Sequence, residues 1–582
     1  MAGGAVAGGK GLMDRTGVVR VLDQIASLLE LKGENPFRVR AFRTAARTIA
    51  SDTGDLAAAL DDGSLAAGRG IGPAILQIVT DLVRTDRSRV FEELRDQVPP
   101  VLLEMLAISG LGVAKARLIH EQLGVDTLTE LEDAARDGRL ARLPGFGSRS
   151  AENVLRGLSY LRRQSGTLLV HHAAREAEEA RAALSRLKGV SRAIVAGDVR
   201  RGTEVVRDIV VVLVADEAPA HVLERLAALP GVDELAGQDE RRATLRFAGG
   251  SLVQVVVTPP VNAGAVLVEA TGSAAHLAEL QAHAAAKGIT LRGAAVWRGS
   301  EFVATPDERA LYAALGLPEI PPELREGAGE VARLEKGLPR LLETADIRGF
   351  LHCHTTYSDG TNSVAEVAAA CRSAGYAYVG ITDHSRSSAY AGGLRLEDLE
   401  RQWAEVDQVN AAMPGIRVLK GIEVDILEDG TLDYGDEVLS RFDFVIASVH
   451  ARFAQGEREM TARLLGALDN PRMTIMGHPT GRMFQQREPF LFDHEAVFRR
   501  AGERGVAIEI NADPHRIDLD WHLLPKARDA GAMISIGADA HNTSGLEHMT
   551  WGIAQARKAW LGPEQILNTR STDEFLAFAR HG

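Results

Sequence analysis

A series of histidines and carboxylates in the last part of the chain has the residue types and spacing of a metal site. His352 and His354 are two residues apart in "LHCHTTYSDG", so on a β-strand both side chains would face one metal ion. Such a pair alone indicates little, but the pattern recurs downstream. The further candidate ligands are Asp359, His384, Glu423, His450, His478, Asp539 and His541. Together these residues predict a polynuclear metal site.

Short apolar runs would place the downstream candidates at the ends of strands. The runs "YAYVGIT", "IRVLKGI", "FDFVIASV", "MTIMG" and "MISIGA" each lead directly into a candidate ligand. Such runs are typical of buried parallel strands. Ala- and Glu-rich stretches that favour helices separate many of them, at residues 364–374, 396–411 and 495–504. The alternation predicts a β/α barrel, whose site lies at the C-terminal rim of its strands.

Any one of these histidines could be a structural residue rather than a metal ligand, but the whole set is hard to explain in that way. A single histidine at a strand end is more often a satisfied core residue than a ligand. Repetition in register with successive strand ends favours ligands. Cys353 alternates with the two first histidines and is expected to point away from them, as a small buried apolar residue. Asp383 is expected to orient His384 or another ligand.

Mixed imidazole and carboxylate ligands suit Zn, Mn or Fe better than Mg or Ca alone. Neighbouring divalent ions would lower the pKa of a bridging water and polarise phosphoryl oxygens. No Ser/His/Asp or Cys/His arrangement competes for the role of nucleophile. The pattern therefore predicts hydrolysis by a metal-activated water.

Composition narrows the class of protein. The 582 residues are enough for about three to five domains, and 45% hydrophobic residues indicate buried cores. A net charge of −13 argues against indiscriminate binding of polyanions, although residues 31–50 form a basic stretch. Only Cys353 and Cys371 are present, which fits a reducing cytoplasm. No apolar run reaches the roughly 20 residues of a membrane span, and the Gly/Ala-rich start is expected to be a tail rather than a signal peptide.

Residues 14–165 are expected to be almost entirely helical, with three Gly-hydrophobic-Gly turns in "GRGIGPAI", "ISGLGVAKA" and "LPGFGSRSA". In each turn the next helix would start at once, and its free N–H groups could hold a phosphate. A plain helix–turn–helix connection would explain any single copy. Three copies with nearby cations favour binding to the DNA backbone. The candidate DNA-binding residues are Gly70, Gly72, Gly110, Gly112, Lys115, Gly145, Gly147 and Arg149.

"GENPFRVRAFRTAARTI" followed by these hairpins resembles the N-terminal DNA-binding and fingers regions of bacterial family X DNA polymerases that end in a PHP (polymerase and histidinol phosphatase) domain. "VAGDVRRGTEVVRDIVVVL", "TGSAAH" and "IPPELREGAGE" resemble the palm and the later polymerase motifs, and the histidine series resembles the PHP domain. The resemblance implies a multidomain fold: a helical helix-hairpin-helix region, an α+β nucleotidyltransferase-like palm and thumb, and a C-terminal α/β PHP barrel.

The resemblance also implies domain limits. We expect a helix-hairpin-helix domain, a helical fingers-like domain, a palm-like domain, a thumb-like domain, a linker and the PHP barrel. These are residues 1–90, 91–165, 166–260, 261–330, 331–345 and 346–582 respectively. A charged helix is expected in the linker, and a closing helix with a tail is expected after Leu561.

The palm departs from the family pattern. Nucleotidyl transfer uses metals clamped by three carboxylates, and the family supplies two on one strand and a third on its neighbour. Asp208 fills the first position, but Val210 and Val256 fill the others. One carboxylate cannot hold two divalent ions, so no Mg is expected in the palm and polymerase activity is expected to be lost.

A second departure precedes the palm arginines, where Gly197-Asp198 replaces the family's Gly-Ser. The following residues, 200–202, keep the "RRG" with which the family contacts the triphosphate. Some nucleotide or DNA contact could therefore persist in a palm that has kept its fold.

The likeness to PHP domains implies three metals. His352, His354, Glu423 and Asp539 would hold the first and carry the catalysis, and Glu423 would bridge to the second. His450 and His478 complete the second site, and Asp359, His384 and His541 form the third. Arg452 and Arg482 could bind a substrate phosphate. His515, in a stretch at 509–520 that resembles a rim loop of the family, is expected to be exposed rather than a ligand.

The interpretation is a cytoplasmic, monomeric DNA-repair phosphodiesterase acting on gapped, nicked or 3′-tailed DNA with Mn or Zn, or Fe. In the family this activity is a 3′→5′ exonuclease, sometimes with abasic-site endonuclease or 3′-phosphatase action. Three alternatives stay open. The chain could be an active repair polymerase using other carboxylates such as Glu204, a small-molecule phosphatase of the histidinol-phosphatase type, or a non-catalytic DNA-binding scaffold.

Overall fold

A computed structural model describes residues 15–581, apart from residues 52–55, 69, 86, 107, 109, 165, 227, 248–251, 293 and 335–336. The Gly/Ala-rich tail expected at the N-terminus lies outside the described residues. The chain divides into two compact units. The first comprises residues 1–165 with the short segments 359–363 and 481–490, and the second comprises residues 166–358, 364–480 and 491–582.

The first unit is helical, as the sequence predicts. Its described helices are α1 (Arg15–Leu31), α2 (Pro36–Ser51), α3 (Leu56–Asp61), α4 (Pro73–Thr85), α5 (Arg89–Asp96), α6 (Pro100–Leu106), α7 (Val113–Leu123), α8 (Leu128–Arg136) and α9 (Ser148–Gln164). Helix α1 shows why they form: Val18, Leu22, Ile25 and Leu29 recur at helical spacing and are fully buried. This stripe forms part of one hydrophobic core with the other helices of the unit.

The three expected hairpins are present. The first glycine of each, at Gly70, Gly110 and Gly145, has a φ of 81°, 85° and 77°, in the left-handed region that glycine adopts without strain. Helices α4, α7 and α9 begin three residues after these glycines. Each hairpin therefore presents the N-terminus of a helix directly after the turn.

The second unit begins with three sheets. Its first strands and helices are β1 (Leu168–Leu169), α10 (Val170–Leu184), β2 (Val190–Ala196), α11 (Gly197–Arg201), β3 (Val205–Val206), β4 (Ile209–Ala215), α12 (Pro219–Leu226), β5 (Val232–Gln238), β6 (Arg242–Phe247), β7 (Leu252–Thr258), α13 (Ala263–Thr271), α14 (Ala274–Ala286), β8 (Ile289–Arg292), β9 (Ala295–Arg298), β10 (Glu301–Val303), α15 (Glu308–Ala314) and α16 (Glu330–Leu334). Strands β1 and β3 pair to form the first sheet, β2-β4-β7-β6-β5 form a mixed sheet in that order, and β10-β9-β8 form an antiparallel one.

The remaining strands are parallel and form the predicted barrel. They are β11 (Gly349–Phe350), β12 (Tyr378–Ile381), β13 (Arg417–Lys420), β14 (Glu423–Asp425), β15 (Ile446–Ser448), β16 (Ile475–Met476), β17 (Ala507–Asn511) and β18 (Ile534–Gly537). They form two sheets, β11-β12-β13 and β14 to β18 in sequence order. Parallel bridges between His384 and Glu423 and between Cys353 and Ala540 join these sheets, which closes the ring.

Two strand predictions need correction. "IRVLKGI" was expected to be one strand that ends at Glu423, but the run breaks after Lys420, and Glu423 begins β14. The break moves the pairing from one sheet to the other, which a continuous apolar run does not reveal. The expected rim loop at residues 509–520 starts as strand, because Glu509 and Asn511 belong to β17.

Helices surround the barrel. They are α17 (Val364–Ser373), α18 (Leu396–Ala412), α19 (Asp436–Leu439), α20 (Glu457–Leu468), α21 (His494–Arg504), α22 (Leu524–Asp529), α23 (Met549–Lys558) and α24 (Thr572–His581). The expected closing helix is α24, whose Phe575 stacks on Tyr378 at one end of the barrel. The charged helix expected in the linker is only the five residues of α16, and Leu341 and Leu342 beyond it are buried rather than in a free linker.

Candidate metal centre

The carboxylate of Glu423 lies at the centre of a cluster of buried histidines. Its oxygens lie 3.0 Å from His384 Nδ1, 3.0 Å from His478 Nε2, 3.3 Å from His450 Nε2, 3.5 Å from His352 Nε2 and 3.6 Å from His354 Nε2. Glu423 begins β14, and the histidines follow β11, β12, β15 and β16, so the ends of neighbouring parallel strands bring the set together. A single carboxylate between so many imidazoles is arranged to bridge cations.

Asp539 forms a second point of convergence, just beyond β18. Its Oδ1 lies 3.1 Å from His354 Nε2 and 3.7 Å from His352 Nε2. Ligand atoms of these three residues all lie within 4.8 Å of one another, a spacing that one metal ion can span. The same holds for His384, Glu423 and His450.

His541 belongs to the same cluster. Its ring stacks on His354 at 4.4 Å between centroids, and His354 stacks on His384 at 4.4 Å. Asp359, the remaining predicted ligand, is exposed and one residue beyond Ser358. Eight of the nine predicted ligands therefore lie together in the second unit, and Asp359 is in the short segment assigned to the first.

Hydrogen bonds hold the ligand rings in place. Glu509 accepts a hydrogen bond from His352 Nδ1 at 2.6 Å and another from the His478 backbone N–H at 2.6 Å. Asp425 is hydrogen-bonded to His450 Nδ1, which leaves Nε2 directed at Glu423. Such partners fix the ring orientation and the tautomer of a ligating histidine.

A third supporting residue is Asn511, which donates a hydrogen bond to Asp539 Oδ2 at 3.1 Å. The sequence did not predict this role for Asn511, Glu509 or Asp425. The signal was present in strand alternation. Asp425 lies two residues after Glu423 on β14, and Asn511 two residues after Glu509 on β17, so each pair shares a face. The same reasoning that united His352 with His354 applies to both.

Asp383, which was expected to orient His384 or another ligand, binds the turn that follows His354. It accepts hydrogen bonds from the N–H of Thr355 at 2.7 Å, from the N–H of Ser358 at 3.2 Å and from Gln402 Nε2 at 2.6 Å. This buried carboxylate therefore holds the turn between His354 and Asp359.

Electrostatics fit the binding of cations. Within the protein alone, burial raises the pKa of the Glu423 carboxyl, but His450, His352 and His384 outweigh it and hold that pKa well below its usual value. Burial likewise raises the pKa of Asp539, and the charges of nearby imidazoles hold it well below its usual value. His352 Nε2 is buried and has no hydrogen-bond partner among the described protein atoms. Ionised carboxylates and an imidazole nitrogen that lacks a partner are what a divalent ion needs.

Arg452 and Arg516 lie on loops of the barrel, and Arg482 lies in the short segment 481–490 assigned to the first unit. Arg452 is exposed, with a positive φ of 60°, and lies 3.4 Å from Glu428. Arg482 is buried, with its guanidinium 4.7 Å from the centre of the Phe484 ring. Arg516 was missed, although its Nε lies 3.6 Å from Asp539 Oδ2.

His515, expected to be exposed, is only partly so. Its side chain is 43% exposed, and its Nδ1 is hydrogen-bonded to Asp513 at 2.9 Å. It lies outside every group of candidate ligands found among the described residues.

The palm-like sheet has an apolar surface where the family pattern places carboxylates. Val210 on β4 and Val256 on β7 are buried in one cluster with Ala196, Val212, Val266 and Leu267, and Asp208 before β4 is exposed. Asp198 forms an ion pair with Arg201 at 2.6 Å. Arg200 binds Glu308 through both guanidinium nitrogens at 2.7 Å.

The hairpin cations lie close to their turns. Lys115 Nζ donates to the Gly110 carbonyl at 3.1 Å and lies 5.3 Å from the centre of the Phe146 ring of the third hairpin. Arg149 is the second residue of α9. A Cβ added at Gly72, Gly112 or Gly147 would meet no atom within 4 Å, so each turn faces open space.

Comparison with known families gives matches along most of the chain. Residues 13–88 match a helix-hairpin-helix domain, residues 102–159 a SAM-like helix-hairpin-helix tandem, residues 266–326 a DNA polymerase beta thumb, and residues 351–512 a PHP domain.

Relatives of known name cover either the whole chain or the barrel. A Bacillus subtilis (strain 168) protein named "DNA polymerase/3′-5′ exonuclease PolX" is 36% identical over 572 residues, which are 98% of this chain and 100% of that protein. A "Probable phosphatase" of Caldicellulosiruptor saccharolyticus is 29% identical over 247 residues, 40% of this chain and 95% of that protein. A "Probable phosphatase" of Thermoanaerobacter sp. (strain X514) is 28% identical over 219 residues, 34% of this chain and 86% of that protein.

Within the described part of the chain, every helix is too short or too polar to span a membrane.

Proposed function

Because this chain belongs to the family X DNA polymerases that end in a PHP domain, we propose that it is a DNA-repair nuclease whose chemistry lies in the barrel. The chain is a metal-dependent phosphoesterase of the PHP type. Its proposed reaction is 3′→5′ exonucleolytic hydrolysis of DNA, with abasic-site endonuclease or 3′-phosphatase action as related activities. The observation that carries the proposal is the buried Glu423 carboxylate with five imidazoles around it.

Three metal sites are proposed, with Mn or Zn, or Fe, as the ions. The proposed ligands are His352, His354, Glu423 and Asp539 for the first, Glu423, His450 and His478 for the second, and Asp359, His384 and His541 for the third. When bound, the divalent ions supply Lewis-acid activation of water and of the phosphoryl oxygens. The donor set of nitrogen and carboxylate oxygen supports these ions over Mg.

The residues of the chain prepare this site. Glu509 and Asp425 hold His352 and His450 in one tautomer each, so the opposite ring nitrogen is available as a ligand. Asp383 keeps the turn that carries Asp359 in place. We propose that Arg516, and also Arg452 and Arg482, position the phosphate of the scissile bond through their guanidinium groups.

The palm is proposed to be catalytically silent and to act as a scaffold. Only Asp208 of the three expected carboxylates is present, and methyl groups of Val210 and Val256 fill the other positions. Asp198 stands where the family pattern has the serine of its Gly-Ser, so a carboxylate replaces a hydroxyl there. Arg200 and Arg201 are engaged by Glu308 and Asp198, which supports loss of triphosphate binding.

An active polymerase that uses Glu204 finds little support. Glu204 lies before β3 rather than on β4 or β7, and it lines a cavity with His522 of the barrel segment. Its carboxylate therefore belongs to a different surface from the apolar cluster of the palm.

The helical N-terminal unit is proposed to hold gapped, nicked or 3′-tailed DNA by its backbone, through the three hairpins with Lys115 and Arg149. The proposed limits are residues 1–90 and 91–165 for the two hairpin-bearing domains, 166–260 for the palm, 261–330 for the thumb, 331–345 for the linker and 346–582 for the barrel. Helix N-termini and cations bind phosphate without reading base sequence.

The test is hydrolysis of a 5′-labelled, 3′-tailed duplex with Mn²⁺, comparing the natural protein with His354→Ala and with His283→Gln, a thumb histidine outside the cluster. The proposal expects a ladder of shortened labelled strands from the natural protein and from His283→Gln, and none from His354→Ala. Release of labelled mononucleotide as the first product, or equal ladders from all three proteins, would overturn it.

A second candidate function is hydrolysis of small phosphomonoesters, because the barrel resembles proteins named "Probable phosphatase". The two candidates separate when histidinol phosphate and a 3′-phosphorylated oligonucleotide are offered in turn. Turnover of histidinol phosphate without any strand shortening would favour the second candidate.

A further inference from the structure

An open cavity of about 600 Å³ in the second unit is used by none of the functions described above. It is formed by the turn before β3, the segment that leads into α16, and the barrel segments around α22 and α23. Its main lining side chains are Glu204, Arg333, Trp521, His522, Lys558 and Trp560. None of the candidate metal ligands lines it.

Two indoles give the cavity flat aromatic surfaces. Trp521 and Trp560 are both half-buried, so each indole keeps accessible surface. The His522 ring stacks on Trp521 at 3.7 Å between centroids and 28° between planes. The Arg333 guanidinium lies 4.2 Å from the centre of the Trp560 ring. Flat π-surfaces with cations beside them suit a planar ring to which an anionic group is attached.

Arg333 is the cation that the opening presents, because Lys558 and His522 each lie beside a carboxylate. Lys558 is almost fully buried and forms an ion pair with Glu326, which Arg201 also approaches at 3.4 Å, so the charge of Glu326 is compensated. Arg333 and His522 are exposed. The hydrogen bond that His522 donates to Asp520 raises the pKa of the imidazole, although burial opposes it. Glu204 is the one remaining acidic group among the main lining residues.

The cavity is also linked to the metal cluster along the chain. Trp521 is five residues beyond Arg516, whose Nε lies 3.6 Å from Asp539 Oδ2. Lys558 ends α23, which follows the loop that carries Asp539 and His541. One stretch of chain therefore contributes both to the rim of the metal cluster and to the aromatic wall of the cavity.

We propose that this cavity is a nucleotide-binding site, in which a base stacks on Trp521 and Trp560 and its phosphate binds Arg333 and His522. Stacking on aromatic side chains is tolerant of base identity, and a guanidinium binds phosphate well. The nucleotide is either a free deoxynucleoside monophosphate or one unit of a single strand. The site needs no hydrolysis in the barrel, so it stands apart from the proposed nuclease activity.

The experiment measures binding of 2-aminopurine deoxyribonucleoside monophosphate, whose fluorescence is quenched on stacking, to the full chain. A second arm uses a tetranucleotide that contains 2-aminopurine and phosphorothioate linkages, so that hydrolysis does not remove the probe. The variants are Trp521→Ala, Arg333→Ala, whose side chain is exposed and carries little risk to folding, and Trp297→Ala as the control in the thumb. Thermal unfolding of each variant checks that it is folded.

The expected result is quenching by the natural protein and by Trp297→Ala, with binding at least about tenfold weaker in Trp521→Ala and in Arg333→Ala. Loss in both arms assigns the site to any nucleotide, and loss in the tetranucleotide arm alone assigns it to a strand. Equal binding of both probes by Arg333→Ala and the natural protein would overturn the proposal. Quenching of both probes is expected to persist when EDTA removes divalent ions, which separates this site from the metal-dependent nuclease.

Discussion

The barrel and the palm-like sheet differ in how many of their expected metal-binding positions carry a ligand residue. Both place residues at strands where carboxylates could hold metal ions, but the barrel keeps all nine ligand types and the palm keeps one of three. Valine fits a buried strand better than aspartate does, so the palm could lose its carboxylates without losing its fold. The fold of this sheet therefore does not depend on carboxylates at those positions.

The two regions also differ in what their polar groups bind. In the barrel, Glu509 and Asp425 bind the far side of ligand histidines and so leave the near side available. In the palm, Arg200 and Arg201 bind Glu308 and Asp198, so the groups that would meet a triphosphate are satisfied within the protein. The polar groups of the barrel therefore leave ring nitrogens available to metal ions, whereas the arginines of the palm bind carboxylates of the protein.

Removing one carboxylate from each region tests whether hydrolysis depends on the barrel alone. Glu423→Gln is expected to lower the rate of strand shortening about a hundred- to a thousandfold, because the charge shared by two proposed metal sites is lost. Asp208→Asn is expected to leave that rate unchanged. Single-turnover hydrolysis of 3′-tailed DNA with Mn²⁺ measures both, and a comparable loss in Asp208→Asn would mean that the palm takes part in hydrolysis.

Returning a carboxylate to the palm tests whether the sheet has repacked. Val210→Asp is expected to lower the free energy of unfolding by about 3 kcal/mol, because an uncompensated charge would be buried in an apolar cluster. Leu252→Asp, on the same sheet but 47% exposed, is the matched control and should change little. The check is thermal unfolding of the full chain by calorimetry, and equal stability of the two variants would show that the old site still accepts a charge.

Removing a residue that only supports a ligand is expected to have a smaller effect than removing Glu423. Glu509→Gln keeps the shape of the side chain but weakens the hold on His352, so metal affinity and hydrolysis are expected to fall about ten- to a hundredfold. Metal content after dialysis and the rate of strand shortening are the two readouts. Glu495→Gln, 88% exposed on α21, is the control and should match the natural protein in both.

The smallest expected effect concerns the hairpins. Lys115→Ala should weaken binding of gapped DNA severalfold and reduce the salt dependence by about one charge, since one phosphate contact is lost. Fluorescence anisotropy across a series of salt concentrations measures this slope. Arg84→Ala, which removes an exposed cation near the C-terminus of α4, is the control, and an equal change in slope there would contradict a specific role for the hairpin.

The barrel strands and the hairpins could be predicted because residues close together in the sequence determine them. Apolar runs followed by ligand residues predicted the barrel, because parallel strands bury both faces and end at one rim. Glycines followed by helix signals predicted the hairpins for the same local reason.

The features that could not be predicted depend on residues that are far apart in the sequence and meet in the folded protein. Gly421 stands at the break in "IRVLKGI", but one glycine in a strand-like run does not reveal that the pairing changes to another sheet. The bond between Glu509 and His352 joins residues 157 positions apart, and Asp383 binds the Thr355 turn across 28 positions. Such partners become visible only when the strands are placed side by side.

We propose that the barrel cuts DNA and that the palm does not extend it. The most direct measurement follows a 5′-labelled primer in gapped DNA with Mn²⁺ and all four deoxynucleoside triphosphates, using the natural protein, Asp208→Asn and His354→Ala. We expect the primer to shorten with the first two proteins and to keep its length with His354→Ala, in which removal of the nuclease would expose any extension. A primer that lengthens with His354→Ala, and does not lengthen when Asp208→Asn is added to that variant, would contradict the claim.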